Sequence, residues 1–79
     1  MEYDVLLKEA GRLIVEYKLG STSLIQRKLK LSYTRSCSIM EQLEKLEIVG
    51  KFEGNKPRVV RFNNVESLNE YFKSIKKLR

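Results

Sequence analysis

Apolar residues recur at helical spacing over residues 3–17, where Tyr3, Leu6, Leu7, Ala10, Leu13, Ile14 and Tyr17 share one side of a 3.6-residue period. Asp4 near the start suits the positive end of a helix dipole, and Gly20 is a stop signal. Gly11 costs such a helix about 1 kcal/mol against Ala, which points to close packing at that position. The next stretch, STSLIQRKLK, has Ser23 and Gln26 three residues apart, the spacing of a capping box. Its apolar set, Leu24, Ile25 and Leu29, predicts a short helix that breaks at residues 31–32. Ser32 is then placed to cap a third helix over residues 33–47. After residue 47 the period changes. IVGKFEGNKPRVVRF has β-branched and aromatic residues on both sides of residues 53–57, which reads as a hairpin with Pro57 at the loop edge. Asn63 and Asn64 close it and can cap a last helix over residues 65–78, where Val65, Leu68, Tyr71, Phe72, Ile75 and Leu78 make one apolar stripe.

The order helix, short helix, turn, helix, hairpin, helix is the plan of an α+β winged helix-turn-helix of three helices and a β-hairpin wing, with an additional C-terminal helix. Residues 1–62 form the expected DNA-binding domain and residues 63–79 its amphipathic extension. That last helix either packs back on the first to enlarge a small core or dimerises through Leu68, Phe72 and Ile75; an exposed stripe of this kind needs a partner.

Composition narrows the chemistry. The chain has 79 residues, one cysteine (Cys37) and no histidine, so an intrachain disulfide and a Cys/His zinc site are both excluded. No Gly-rich phosphate loop is present. We therefore expect no enzymatic activity, no metal and no cofactor. No apolar run approaches the length of a membrane span, and the N-terminus lacks a signal peptide's basic and apolar regions. A cytoplasmic protein associated with the nucleoid or a plasmid is the expectation.

The net charge of +6 is unevenly spread. Residues 21–40 hold Arg27, Lys28, Lys30 and Arg35 and no acid; residues 51–62 hold Lys51, Lys56, Arg58 and Arg61 against Glu53 alone. Two basic blocks on either side of an acidic half-helix favour a polyanionic partner. In a helix-turn-helix the second helix enters the major groove. Its inner face here would be Tyr33, Ser36, Cys37, Ile39, Met40, Leu43 and Leu46, with Cys37 a small core residue. At about 100° per residue Thr34, Ser38, Glu41 and Lys45 line up on the other side, flanked by Arg35. Arg35 is the foremost base reader, since bidentate Arg to guanine is the commonest specific contact. Glu41 either accepts from a cytosine amino group or is a solvated helix residue; Thr34 and Ser38 touch phosphate or a thymine methyl, or, for Thr34, serve only as a polar helix start. Ser23, Gln26, Arg27, Lys28, Lys30, Tyr33 and Lys45 are expected to meet the DNA backbone, as are Lys51, Asn55, Lys56, Arg58 and Arg61 from the wing.

Residues 21–60 resemble the gamma domain at the C-terminus of FtsK/SpoIIIE-type bacterial DNA translocases. The matching stretches are SLIQRK at residues 23–28, Tyr33, Arg35, residues 39–41, Leu43, Glu44, residues 48–50, and GNKPR at residues 54–58. The resemblance implies a winged helix that recognises short, directional, G-rich chromosomal sequences, orients an attached motor and helps activate a tyrosine recombinase. It places Arg35 on a recognition-helix arginine, Thr34 where asparagine is frequent, Glu41 on the acidic position of the same helix, and Lys56 and Arg58 on the wing motif. Ser38 stands where the family has a second arginine, Ser36 and Cys37 replace alanines, and Ser32 and Glu47 replace turn glycines. These departures point to a different target sequence. With a Met at its start and no motor, the chain reads either as a free-standing accessory factor of a plasmid, phage or other mobile element or as a domain cloned from a larger translocase. The alternative is a protein-interaction winged helix docking on a recombinase, motor or replication protein.

Overall fold

The computed structural model describes residues 3–75 and contains four helices: α1 (Leu7–Tyr17), α2 (Thr22–Leu29), α3 (Tyr33–Lys45) and α4 (Val65–Ser74). All four expected helices form, with their ends set by polar groups. Residues 3–6 stay outside α1 because Asp4 ties up the local backbone. Its carbonyl accepts from Leu7 N and its carboxylate from Leu6 N, each at 2.9 Å, the short-range competition that keeps Asp out of helix interiors. At the other end Lys18 takes the left-handed conformation, φ 54°, and its N–H closes the helix onto Val15 O.

Gly20 is therefore not the stop residue. A Cβ there would lie 2.2 Å from the Arg58 carbonyl oxygen, so Gly20 serves the close approach of two backbones, joined by Arg58 N donating to Gly20 O at 2.8 Å. The α2 cap also differs from expectation. Ser21, not Ser23, accepts from Leu24 N; Ser23 lies inside the helix and is exposed. Ser32 caps α3 through Arg35 N, and Asn64 caps α4 through Ser67 N.

The core is Leu7, Ala10, Ile14, Val15, Leu24, Ile25, Ile39, Met40, Leu43, Leu46, Ile48, Val49, Leu68 and Phe72. Gly11 is where α4 meets α1, since a Cβ there would be 3.2 Å from Phe72 Cζ. The Leu68–Phe72 stripe is thus spent inside the chain, which leaves neither residue available for the dimer seam considered above; Ile75 is half-buried against the same core. Leu78 lies outside the described residues. Tyr71 extends the docking by donating its hydroxyl to Leu46 O at 2.5 Å and packing on Phe62, ring centroids 5.1 Å apart. On α3, Ser36, Ile39, Met40 and Leu43 are buried and Cys37 is half-buried, and Leu46, which follows the helix, is buried too. Ser36 satisfies its hydroxyl on Ser32 O at 2.9 Å. Tyr33 departs from the expected inner face: in the first position of α3 it lies beyond the reach of the core and is exposed.

The segment after α3 runs out and back in one antiparallel register, Val49 opposite Val60 and Glu53 opposite Lys56. Gly54 at the turn has φ 71°, as the first central residue of a type II′ turn requires. The two arms, residues 48–53 and 56–61, are held by Gly50 N to Val59 O and Arg61 N to Ile48 O. Among the described residues the β-structure is confined to isolated bridges, so the expected β-hairpin is not formed as continuous strands. Pro57 has no N–H to give the ladder, and two short arms alone are a marginal sheet.

Candidate nucleic-acid interface

The polar stripe on α3 emerges where the helical period puts it. Thr34, Ser38, Glu41 and Lys45 are exposed, on the side opposite Ile39, Met40 and Leu43. Capping by Ser32 fixes the start of the helix, and the buried face fixes its rotation. Both together aim the stripe outward.

Arg35 is exposed beside this stripe but is not alone. Its Nε donates to Asp4 Oδ2 and its Nη2 to Asp4 Oδ1, both at 2.9 Å. This pairing holds the Asp4 carboxyl below the usual carboxylate range and raises the guanidinium further. Asp4 in turn donates its backbone N–H to Gln42 Oε1 at 2.9 Å. The sequence offered Asp4 only as a helix-start acid; its partner 31 residues away is a tertiary fact.

The basic blocks lie on the neighbouring α2 and on the arms. Arg27, Lys28 and Lys30 are exposed at the end of α2, with the Lys28 ammonium 5.2 Å from the centre of the Tyr17 ring. Ser23 is exposed and Gln26 half-buried on the same helix. On the arms Lys51, Asn55, Lys56 and Arg61 are exposed. A cleft lined by Ser21, Thr22, Ser23, Tyr33, Asn55 and Lys56 brings the start of α2, the start of α3 and the tip of the arms together. Hydrogen bonding to Cys37 raises the Tyr33 phenol above the ordinary tyrosine value.

Arg58 is placed differently from its neighbours. Its side chain is 10% exposed, and Nη1 donates to Glu44 Oε1 at 2.6 Å and to Gly50 O at 3.3 Å. Phe52 lies under the guanidinium, 5.8 Å from ring centre to Cζ. Arg58 thus fastens the returning arm to the C-terminal half of α3. No helix among the described residues is long and apolar enough to cross a membrane.

Comparison with known proteins identifies the family of the chain. Residues 1–63 match the family model described as Ftsk gamma domain. Among curated proteins the chain is 43% identical over 65 residues to DNA translocase FtsK of Chlorobaculum tepidum, covering 82% of this chain and 8% of that protein. It is 51% identical over 55 residues to DNA translocase FtsK of Clostridium acetobutylicum, covering 70% of this chain and 7% of the relative. With DNA translocase FtsK of Chlamydia pneumoniae the identity is 43% over 63 residues, 80% of this chain and 8% of that protein. The chain thus spans less than a tenth of the length of these relatives. It belongs to the FtsK gamma domain family.

Proposed function

We propose that this domain binds double-stranded DNA sequence-specifically as a winged helix, with α3 in the major groove and the arms serving as the wing along the backbone. The observation that carries the reading is the exposed stripe of Thr34, Ser38 and Glu41 with Arg35 beside it, standing opposite a fully buried face of the same helix. Membership of the FtsK gamma domain family supports it. Arg27, Lys28, Lys30, Lys51, Lys56 and Arg61 add exposed charge on α2 and the arms suited to phosphates, which supplies affinity and salt dependence. Ser23, Tyr33 and Asn55 add neutral donors at the cleft between helices and arms. The role is DNA recognition for a translocase or an accessory complex, by binding and not by catalysis. Ser38, in place of the family's second arginine, gives it a target of its own.

Selection from random duplex DNA, read by sequencing, tests this. An enriched motif whose preference shifts in Ser38→Ala or Glu41→Ala is the expected result; recovery of no motif would sink the reading.

A second reading is favoured by one observation. Phe52 and Val59 on the arms are 68% and 61% exposed, an apolar pair suited to a protein partner such as a recombinase, motor or replication protein. Partner capture that persists in high salt without DNA, and is lost in Phe52→Ser, is its signature.

A further inference from the structure

The ion pair between Asp4 and Arg35, like that between Arg58 and Glu44, joins separate parts of the chain and has one largely buried member. Arg12 with Glu9 and Glu16 lies along one helix, with all three side chains more than two-fifths exposed. Asp4 is only 14% exposed and is held from three directions: its N–H on Gln42, its carbonyl on Leu7 N, and Oδ1 on Leu6 N. Arg35 and Gln42 are two helical turns apart on α3, and both side chains converge on Asp4, which is thereby held against that helix from two points.

The geometry of the pair leaves part of Arg35 unused. A guanidinium carries five N–H donors. Asp4 engages the Nε–Nη2 edge side-on, taking one donor from each nitrogen. The outer Nη1–Nη2 edge keeps its donors, and that edge is the fork that matches guanine O6 and N7. The side chain remains 43% exposed. Neutralising the charge weakens a general attraction for phosphates, whereas fixing the fork helps a directed hydrogen bond, because less rotamer freedom is lost on binding.

We propose that Asp4 is a positioning residue for DNA recognition: it holds the Arg35 guanidinium by one edge so that the other reads a base, trading general affinity for sequence preference. This rests on the DNA-reading function proposed above.

The test compares wild type, Asp4→Asn, Arg35→Ala and the double variant by fluorescence anisotropy, on the duplex selected by wild type and on a scrambled duplex of equal length. Asn keeps an acceptor for Leu6 N while giving up the charge. In Asp4→Asn the selected duplex should bind about tenfold more weakly, and the scrambled duplex equally or slightly more tightly, so the preference ratio falls about tenfold. In the Arg35→Ala background the same change should leave the ratio unmoved. Gln42→Ala, which loosens Asp4 without touching either charge, should lower the ratio in the same direction by a smaller factor, and it stands in should Asp4→Asn fold poorly. An unchanged ratio, an equal gain on both duplexes, or an equal loss with Arg35 absent overturns the role of Asp4. If wild type selects no motif at all, the proposed function fails and this inference fails with it; a motif with an unaltered ratio sinks the inference alone.

Discussion

Lys56 and Arg58 stand two residues apart in one arm, with only Pro57 between them in the GNKPR stretch, yet Lys56 is exposed and Arg58 is paired and nearly buried. Both are basic and either is suited to a phosphate. What separates them is Glu44, 14 residues earlier on α3, and that contact depends on how the arms fold back. Arg58→Ala should lower stability by about 1–2 kcal/mol, since it leaves Glu44 and Gly50 O without their charged donor, discounted because Glu44 is partly solvated. Lys56→Ala should change stability by less than about 0.5 kcal/mol and instead weaken binding to all DNA alike, with a shallower salt dependence. Urea titration beside binding at two salt concentrations separates the two. Asp4 shows the same blindness of local pattern, because its place near a helix start explained it well enough until Arg35 appeared beside it. Its folded pKa lies below the ordinary value of about 3.9. The folded state therefore binds fewer protons than the unfolded one, and the pair's contribution is complete above about pH 5 and lost as the pH falls through the depressed value. Between pH 7 and pH 3 the urea midpoint of wild type should fall further than that of Asp4→Asn. Equal falls would mean the pair contributes nothing.

Among the elements, the helices were legible because amphipathic periodicity reports burial directly, and burial decides which helices survive in a small domain. Their ends were less so. Ser21 and Ser23 both precede the apolar residues of α2, and only the backbone's extended conformation at Ser21, φ −114° and ψ 127°, picks the cap. Ser21→Ala should cost about 1 kcal/mol and Ser23→Ala close to nothing. The arms were legible as a turn flanked by β-formers, but not as isolated bridges, since ladder continuity depends on Pro57 and on the single Gly20 contact at the other edge. One local conflict is open to repair. Glu47 carries φ 63° where relatives by resemblance have a turn glycine, a conformation that costs a residue with a Cβ about 1–2 kcal/mol. Glu47→Gly should relieve part of that strain, against the greater freedom glycine has in the unfolded chain. A net gain of about 0.5 kcal/mol, read as a melting temperature a few degrees higher, is the expected outcome.

At the scale of the whole molecule, α4 decides whether the domain stands alone. The family match ends at residue 63, before α4 begins, yet Leu68 and Phe72 from that helix fill the space over Gly11 and Leu43. Without them the face of α1 around Gly11 would be wet. A domain of this size has a total stability on the order of 4–12 kcal/mol, and truncating a buried Phe removes about 3–5 of it. Phe72→Ala should therefore unfold a measurable fraction near physiological temperature although it lies far from the stripe on α3. Because Phe72 packs within its own chain, the melting temperature of wild type and variant should not depend on protein concentration; a dependence would return α4 to the role of a dimer helix. Selected duplex DNA binds only the folded state, so at 100 times Kd it should restore about 2.7 kcal/mol to the variant. The variant's weaker apparent binding should then be accounted for by its unfolded fraction, with the preferred sequence unchanged. A changed sequence preference would instead mean that α4 sets the orientation of α3, and that the reading surface extends through the core to the opposite side of the domain.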